Sequence, residues 1–339
     1  MGFKINNRRY TGSKSKIVDW ISGLVSENCK DANSLCDIFA GTGIVANAFF
    51  DRYDSLIIND FLYSNEIIYN AFFGQEKYDE DKVFDLCKKY KRLNAEDLEE
   101  NYVSQNYGNK FFSQNDARKI GCIREDLEIN KNDMSKREFD ILLASLIYSF
   151  DKCANTVGHY EAYIKNGTIS DTFKFDLIEP AVSSDKKYIQ IYREDANLLA
   201  KRITADIVYI DPPYSSRQYS RFYHLIETIV KWDRPELFGA ALKPEPENMS
   251  EYCTVSAIKA FRELISDLKC KYAVVSYNNT YSSKSKSSEN KMKLEDIENI
   301  LNKKGIVKKF SIKHQAFNAG KTDFNNHQEI LFITKVKNG

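Results

Sequence analysis

The feature that most constrains the fold is a strand, a glycine turn, a helix and a second strand in immediate succession. SLCDIFAGTG (34–43) predicts a short apolar strand entering a glycine turn, IVANAFFDR (44–52) predicts a helix, and SLIIND (55–60) predicts a strand that ends in an acid. This order is typical of one βαβ unit of the nucleotide-binding kind. It predicts an α/β fold with a ligand site at the carboxyl ends of parallel strands.

The alternation of strands and helices stops after this unit and resumes near residue 187. The segment between is rich in Tyr, Phe, Asn, Lys and Asp and predicts a mostly helical insertion, with its clearest helix at 141–150. We therefore predict one α/β domain formed by residues 1–61 and 186–339, and an inserted domain at 62–185. Further strands are expected at 187–195, 205–211 and 271–277, helices near 221–232, 256–268 and 294–304, and two strands at the end of the chain.

The composition is that of an ordinary globular protein, with 42% hydrophobic and 29% charged residues in 339. No apolar run approaches the roughly 18 residues that span a membrane, and the N-terminus lacks the apolar core of a signal peptide. Seven scattered cysteines without a C-x-x-C pair favour reduced thiols in a cytoplasmic protein and argue against a structural zinc. The net charge of +1 neither favours nor excludes a nucleic-acid partner.

Two glycines, Gly41 and Gly43, follow the first predicted strand in FAGTG. Glycines at this point let the backbone turn sharply into a helix and approach a ligand closely. The spacing matches neither G-x-G-x-x-G nor a phosphate-binding loop ending in G-K-[ST]. The motif alone therefore leaves open both a ligand site and an ordinary tight turn.

Acids follow two more predicted strands, Asp60 in SLIIND and Asp195 in YREDA. An acid at this position can accept both ribose hydroxyls of an adenosine-containing ligand. Asp is equally a good helix N-cap, so each acid has two interpretations. Three successive strands that bring an acid or a glycine turn to one edge of a sheet nevertheless favour a ligand site there.

The strand in ADIVYIDPPY must stop at Asp211, because the prolines that follow it, Pro212 and Pro213, cannot continue a central ladder. Their fixed φ angles make a stiff turn, and neither offers an N–H, so the turn presents only acceptors. Tyr214 adds a ring that can stack on a flat group. Asp211 and a proline carbonyl can accept the two N–H groups of an amine on a planar heterocycle, which makes the nitrogen lone pair nucleophilic. The alternative is a strand-ending turn with a surface tyrosine.

Three segments, in this order, resemble the D12 class of S-adenosylmethionine-dependent DNA adenine-N6 methyltransferases. RRYTGSKSKIVDWI resembles the N-terminal Y-x-G-S-K element of that class, and DIFAGTGIVANAF resembles its cofactor motif. DPPYSSRQYSRFYHLIE resembles a subgroup of bacterial type II modification methylases that continue from D-P-P-Y into R-Q-Y and Y-H. The resemblance spans residues 8–60 and 187–277. It implies a Rossmann-like class I methyltransferase sheet with helices on both faces and a mostly helical target-recognition insertion.

The resemblance also implies roles for the matched residues. Lys14 and its neighbours would hold the methionine end of S-adenosyl-L-methionine, Asp60 would bind its ribose and Asp195 would face its adenine amine. Asp211 and the Pro212 carbonyl would orient the target N6. The implied catalytic residues are Asp211, Pro212, Pro213 and Tyr214. The implied cofactor-binding residues are Tyr10, Gly12, Ser13, Lys14, Asp37, Phe39, Gly41, Gly43, Asp60, Asp195 and Asp211.

The implied substrate is adenine in double-stranded DNA, which must leave the base stack to reach the methyl donor, with Tyr214 stacked on it. Transfer would be direct, so no metal or covalent enzyme intermediate is expected, and positioning and electrostatics would provide most of the catalysis. The resemblance further implies a DNA-modification system in which a cognate restriction endonuclease acts separately. The enzyme would act as a monomer or homodimer.

Five residues outside these motifs are weaker candidates for DNA contacts: Arg217, Gln218, Tyr219, Lys284 and Lys286. The first three follow the catalytic turn, where capping and packing at the start of a helix explain them equally well. The lysines lie in a Ser/Lys-rich stretch (282–293) that is typical of an exposed loop and could contact phosphates.

Three rival functions stay open. Enzymes that methylate the N4 amine of cytosine usually carry Ser at the position of Asp211, and RNA and protein-glutamine methylases usually carry Asn there. A catalytically inactive DNA-binding module with a methylase fold is the third. The presence of both the cofactor motif and D-P-P-Y argues against it.

Overall fold

The structure is a computed structural model that describes residues 2–182, 187–280, 289–313 and 327–337. Its strands are β1 (Ser34–Asp37), β2 (Ser55–Asn59), β3 (Tyr188–Tyr192), β4 (Ile207–Ile210), β5 (Tyr272–Asn278), β6 (Gly305–Lys313) and β7 (Gln328–Val336). Its α-helices are α1 (Val18–Asn28), α2 (Ile44–Ala48), α3 (Tyr63–Phe73), α4 (Glu80–Lys91), α5 (Tyr102–Tyr107), α6 (Gln114–Ile129), α7 (Lys136–Cys153), α8 (Ala196–Ala200), α9 (Tyr219–Phe222), α10 (His224–Lys231), α11 (Ala257–Asp267) and α12 (Leu294–Lys304).

Within the described residues, seven strands form one mixed sheet in the order β3-β2-β1-β4-β5-β7-β6. The first five strands in this order are parallel, and β7 runs antiparallel to both β5 and β6. Central strands of a parallel sheet are covered on both faces and need near-continuous apolar runs, which explains IVYI in β4 and AVV in β5. The carboxyl ends of β1 to β5 consequently meet at one edge of the sheet.

Helices cover both faces of the sheet. On one face, α8, α11 and α12 bury Leu199, Phe261 and Leu301 in a cluster with Val208 and Phe332 of the strands. On the other face, α1 contacts α2 and the strand β7. The predicted fold class, a Rossmann-like α/β sheet with helices on both faces, is therefore confirmed.

The chain divides into two compact units. The sheet unit comprises Gly12–Phe61, Ser183–Tyr219 and Asn248–Gly339, and the helical unit comprises Met1–Thr11, Leu62–Val182 and Ser220–Glu247. The helical unit thus extends beyond the predicted insertion at 62–185 to take in the N-terminal residues and a segment after β4. The role of this unit in target recognition stays a prediction.

The helical unit is organised around α7, which is buried on all sides from Arg137 to Asp151 and contacts α3, α4 and α6. A helix that is apolar all round must be central, as the run ILLASLIYSF predicts. Its start is fixed by a capping box, in which Ser135 Oγ accepts the Glu138 amide at 3.2 Å and Glu138 Oε2 accepts the Ser135 amide at 3.0 Å. None of the helices in the described ranges is long and apolar enough to cross a membrane.

Candidate active site

The edge of the sheet where β1 to β4 end carries the acids that the sequence singled out. Asp37 is the last residue of β1, Asp60 follows β2 and Asp211 follows β4. Since β1 lies between β2 and β4, its acid is flanked by the other two, and the charges of Asp211 and Asp60 both act on Asp37. The glycine turn and Asp60, which the sequence predicts at this edge, follow the parallel strands β1 and β2 there. Their role in binding stays a prediction.

The turn after β1 needs both of its glycines. Gly41 and Gly43 have φ angles of 52° and 73°, in the left-handed region that disfavours other residues. Asp60 Oδ2 accepts the Gly41 amide at 2.9 Å, so the acid after β2 also holds the turn after β1. Asp60 is therefore not a helix N-cap, because the residue at that position of α3 is Leu62.

Asn59, which the sequence analysis did not select, ties three strand ends together. Its Nδ2 donates to the carbonyl oxygens of Ile38 at 3.0 Å and Glu194 at 3.1 Å, and its Oδ1 accepts the Glu194 amide at 3.0 Å. These bonds join the residues after β1 and β3 to the end of β2. The side chain is buried, so the spacing of the acids at this edge is held from inside the protein.

The centre of the site is a cluster of Lys14, Asp211 and Tyr214. Lys14 Nζ lies 2.9 Å from Asp211 Oδ2 and also donates to the Tyr214 hydroxyl, which in turn donates to Asp211 Oδ1. The Lys14 side chain is 5% exposed and that of Asp211 is 15% exposed. The N-terminal Y-x-G-S-K element and the D-P-P-Y turn therefore contribute to one site, and Asp211 keeps access to a ligand.

Burial and neighbouring charges shift the titration of this cluster. Burial lowers the pKa of Lys14, but the charges of Asp211 and Glu329 outweigh it and the pKa is raised above its ordinary value. Burial raises the pKa of Asp211, although Lys14 and the Tyr214 hydroxyl oppose the rise. Burial and the Asp211 charge raise the pKa of Tyr214 well above its ordinary value. At neutral pH, Lys14 is consequently charged and Tyr214 keeps its hydroxyl proton.

Asp37, at the end of β1, is a buried acid with few donors around it. Its side chain is buried, and within the described part of the chain neither carboxylate oxygen has a hydrogen bond of good geometry, although the Ala46 amide lies close to it. Burial raises its pKa well above the ordinary value, the charges of Asp211 and Asp60 add to that rise, and the nearby Ala46 amide and Lys14 offset only part of it. Native proteins rarely leave a buried carboxylate without donors, so Asp37 fits a ligand that brings an ammonium or another positive group.

The D-P-P-Y turn is held by segments distant in sequence. The Tyr214 ring packs edge-on against Tyr277 of β5, with centroids 4.7 Å apart at 75°. The Tyr214 carbonyl accepts the Lys291 amide at 2.7 Å, and the Tyr277 hydroxyl accepts the Met292 amide at 3.2 Å. Tyr277 of β5 and the residues 291–292 therefore fix the position of the turn.

Comparison with known proteins decides the family. A family model described as D12 class N6 adenine-specific DNA methyltransferase matches residues 10–292 of the chain. The chain belongs to this family. The chain is 32% identical to the type II methyltransferase M.FokI of Planomicrobium okeanokoites over 96% of its length, and 31% identical to M.NlaIII of Neisseria lactamica over 94%. It is 28% identical to M.CviAII of Paramecium bursaria Chlorella virus 1 over 98%.

The chain spans about half of M.FokI, 52% of that protein, but 95% of M.NlaIII and all of M.CviAII. The resemblance read from three sequence motifs is thus confirmed at the level of the D12 family.

In this D12-class methyltransferase, Asp195 acts as a helix N-cap. Its Oδ1 accepts the amides of Asn197 at 2.9 Å and Leu198 at 3.1 Å at the start of α8. Tyr252 lies nearby, since the Asp195 charge acts on it, and Phe39 packs edge-on against Tyr252 with centroids 5.0 Å apart. Of the two interpretations of Asp195, the structure shows capping, and contact with the adenine of a cofactor stays a prediction.

The N-terminal element divides between the two units of this methyltransferase. Gly12 belongs to the sheet unit and has a φ of +82°, and a Cβ there would lie 2.9 Å from the Tyr219 hydroxyl oxygen. Ser13 also belongs to the sheet unit, where its Oγ accepts the Ser15 amide at 3.4 Å. Tyr10 belongs to the helical unit and stacks on Tyr223, with centroids 4.6 Å apart at 4°. Gly12 therefore serves the shape of the turn before Lys14.

The residues after D-P-P-Y make internal contacts. Gln218 forms two bonds to the Ser250 backbone, with Nε2 donating to the carbonyl at 3.0 Å and Oε1 accepting the amide at 2.8 Å. The Arg217 carbonyl accepts a weak bond from Cys253 Sγ at 3.3 Å. Both polar ends of the Gln218 side chain therefore bond the backbone. A DNA contact of Arg217 or Tyr219 stays a prediction. Lys284 and Lys286 lie outside the described residues.

The Y-H-L-I-E run of the motif, residues 223–227, is structural in the helical unit. Tyr223 Oη accepts the Thr11 amide at 2.8 Å, and His224 Nε2 bonds the Tyr160 carbonyl at 2.8 Å. Burial lowers the pKa of His224 to about 4, so this imidazole is neutral. Glu227 accepts the first two amides of α3, Tyr63 and Ser64, both at 2.9 Å. These residues therefore serve capping and packing in the helical unit.

Proposed function

We propose that the chain transfers a methyl group from S-adenosyl-L-methionine to the N6 amine of adenine at a specific sequence in double-stranded DNA. Membership of the D12 family supports this proposal. The single observation that carries it is the cluster of Asp211, Lys14 and Tyr214 directly after β4. The buried acid Asp37 lies at the same edge of the sheet. Because the chain spans only part of M.FokI, its own substrate and partners belong to the proposal.

The charges of the site suit the proposed cofactor. When bound, S-adenosyl-L-methionine supplies a methyl group already activated on a sulfonium centre. Lys14, with Gly12 and Ser13 in the turn before it, would hold the carboxylate of the methionine part, and Asp37 would receive positive charge. Asp60 and the turn of Gly41 and Gly43 would line the sugar, with Phe39 and Asp195 farther along the edge.

The proposed task of the catalytic turn is to hold and activate the amine. Asp211 and the Pro212 carbonyl accept its two N–H groups, while Pro213 keeps the turn stiff and the Tyr214 ring stacks on the base. The amine must lose one proton as it is alkylated. Asp211 is the acceptor at hand, and its raised pKa suits that task.

The proposed DNA substrate requires that the target base leave the stack. We assign the recognition of the DNA sequence to side chains of the helical unit, most of which is formed by residues 62–182. We assign phosphate contacts to basic residues including Lys284 and Lys286. We further propose that the enzyme protects DNA against a separate cognate restriction endonuclease and acts as a monomer or homodimer. The relatives named as type II methyltransferases support this assignment.

The test is methyl transfer from tritiated S-adenosyl-L-methionine to unmethylated bacterial genomic DNA, followed by digestion to nucleosides and chromatography. Label in N6-methyladenine is expected, and sequencing of the modified DNA gives the target. Asp211→Ala should lower the rate by roughly 100-fold or more, because the amine loses its charged acceptor. Asp51→Ala, at an exposed acid after α2, is the matched control and should leave the rate unchanged.

Three other outcomes would overturn the proposal. Label in N4-methylcytosine would assign the same site to a different base. Label only in RNA would change the substrate class. Cofactor binding without any transfer would indicate an inactive DNA-binding module.

A further inference from the structure

The Asp211 carboxylate already has two partners within the protein. Its Oδ2 lies 2.9 Å from the Lys14 ammonium and its Oδ1 accepts the Tyr214 hydroxyl. Under the proposed function, the same carboxylate must accept the amine of the target base. A carboxylate paired with an ammonium is a weaker acceptor, and a cation beside the amine opposes the positive charge that the nitrogen acquires. The ion pair must therefore loosen when the base enters.

Lys14 cannot simply release Asp211 into water. Its side chain is 5% exposed, and its raised pKa keeps it charged, so a buried cation would be left without its partner. An unpaired buried charge costs several kcal/mol, on the order of 3–5. For the pair to open at low cost, Nζ needs acceptors other than Asp211. The carboxylate of the proposed cofactor is one, and because an ammonium has three N–H donors, an acceptor from the protein can bond it at the same time.

Glu329 provides that acceptor. Its Oε2 lies 3.8 Å from Lys14 Nζ, and its side chain is 7% exposed. Glu329 sits in the sheet, where it is paired with Asn278 of β5 on one side and Ile312 of β6 on the other. His327 Nε2 lies 3.5 Å from Glu329 Oε1. Lys14 is thus held between two carboxylates, one at the end of β4 and one fixed by neighbouring strands.

The displacement required is small. Charge-assisted N–H···O bonds have lengths of about 2.7–2.9 Å, so Lys14 Nζ needs to move roughly 1 Å to bond Glu329 fully. A four-carbon side chain makes such a shift by adjusting its torsion angles, without any movement of the backbone.

We propose that Glu329 is a positioning residue that takes over the Lys14 ammonium when the target amine binds Asp211. This inference rests on the proposed function. Glu329 touches neither the amine nor the methyl donor; it acts through Lys14, by freeing the full charge of Asp211 for the amine and keeping the cation paired. Neither the D-P-P-Y motif nor the cofactor motif contains it.

The direct test is a structure of the complex with sinefungin, an inert analogue of the cofactor, and a duplex that contains the target sequence. We expect Lys14 Nζ at about 3 Å from Glu329 and more than about 3.5 Å from both Asp211 oxygens. Lys14 still about 3 Å from Asp211 with the base in place would overturn the inference. A complex in which Lys14 Nζ bonds only the carboxylate of the analogue, and lies farther than about 3.5 Å from Glu329, would also overturn the inference.

Kinetics give a second test. Glu329→Gln should lower the single-turnover rate of methyl transfer by roughly tenfold or more, because Lys14 stays on Asp211. The Kd for sinefungin and the Tm should change little, and Glu329→Asp, which keeps the charge, should recover part of the rate. Glu298→Gln, at an exposed acid of α12 paired with Lys309, is the matched control.

A fall in rate that is matched by an equal loss of Tm and of sinefungin affinity would make Glu329 merely structural and overturn the inference. An unchanged rate would do the same. Failure of the proposed function looks different, because the wild-type protein would then not methylate adenine at all.

Discussion

Lys14 and Asp211 form a buried ion pair, with Nζ 2.9 Å from Oδ2, although one residue precedes the first strand of the sheet and the other follows the fourth. The Tyr214 hydroxyl completes the contact by bonding both partners. This pair explains why a motif at the start of the chain and a motif after β4 occur in one protein. Each supplies one charge of a pair that neither could bury alone.

Asp37→Asn should stabilise the ligand-free protein at neutral pH and weaken cofactor binding. Because the folded-state pKa of Asp37 is raised, the folded protein binds a proton more tightly than the unfolded chain, and stability falls as pH rises from about 4 through that raised pKa. Removing the charge should add on the order of 1 kcal/mol to the free energy of unfolding, or roughly 1–2 °C in Tm for a chain of this length. Thermal unfolding and calorimetric titration with sinefungin measure the two effects.

The matched control for this change is Asp51→Asn, at an exposed acid whose neutralisation should alter neither quantity. A lower Tm for Asp37→Asn, together with unchanged affinity for sinefungin, would show that Asp37 is a satisfied structural acid.

Tyr214→Phe should move the acid limb of the kcat/KM profile to higher pH. The Tyr214 hydroxyl lowers the pKa of Asp211, so its loss raises that pKa further. Asp211 can accept the amine only as a carboxylate, so activity is lost as pH falls through its pKa, and the variant should lose it sooner. The phenylalanine ring still stacks on the base, which separates this effect from loss of stacking.

Tyr188→Phe, at an exposed tyrosine of the edge strand β3, should leave the profile in place. An acid limb that stays put, or moves to lower pH, in Tyr214→Phe would contradict the electrostatic role given to the hydroxyl.

Gly12→Ala should destabilise the protein by about 1–2 kcal/mol, because Gly12 has a left-handed φ and an added Cβ would lie 2.9 Å from the Tyr219 hydroxyl oxygen. Chemical denaturation gives the change in the free energy of unfolding. The double variant with Tyr219→Phe should recover part of the loss, since the contact is with the hydroxyl.

Gly23→Ala is the opposite case. Gly23 lies inside α1, and a Cβ there would meet nothing within 4 Å. Alanine should stabilise the helix by roughly 0.5–1 kcal/mol. Equal losses at Gly12 and Gly23 would refute the conformational argument.

Glu227→Ala should destabilise the protein by about 1–3 kcal/mol, because the first two amides of α3 lose their acceptor. Sinefungin affinity of the folded protein should be unchanged, and Glu236→Ala, at an exposed acid, should cost nothing measurable. A variant that keeps its stability but transfers methyl groups slowly would give Glu227 a functional role instead.

The acids of the site could be predicted because their positions follow from local pattern. Asp37, Asp60 and Asp211 end or follow apolar strands, and parallel strands carry such residues to one edge. The helix after the glycine turn is shorter than predicted, since α2 ends at Ala48 and not near residue 52. The apolar residues there continued the helical pattern, and no glycine or proline marked its end.

The partners of these acids could not be predicted. Glu329 reaches Lys14 only because β7 lies beside β5, and Asn59 meets Glu194 only because β3 pairs with β2. Both contacts depend on strand order, which a pattern of residue types does not contain. His224 and Glu227 belong to a run that resembles the family motif, yet in the structure they bond the backbone of the helical unit. A sequence motif alone does not indicate which of its side chains bind a ligand and which stabilise the fold.

The helical unit is assembled from three separated stretches of chain. Buried bonds join these stretches: Arg8 donates to Asn65 Oδ1, and Glu227 accepts the Ser64 amide. A chimera in which residues 62–182 alone are exchanged would lose the buried contacts that these residues make with residues 2–11 and 220–247. The exchangeable module is discontinuous: residues 2–11 and 220–247 must travel with it. If the helical unit reads the DNA sequence as proposed, an exchange of specificity with a relative must therefore move all three stretches together.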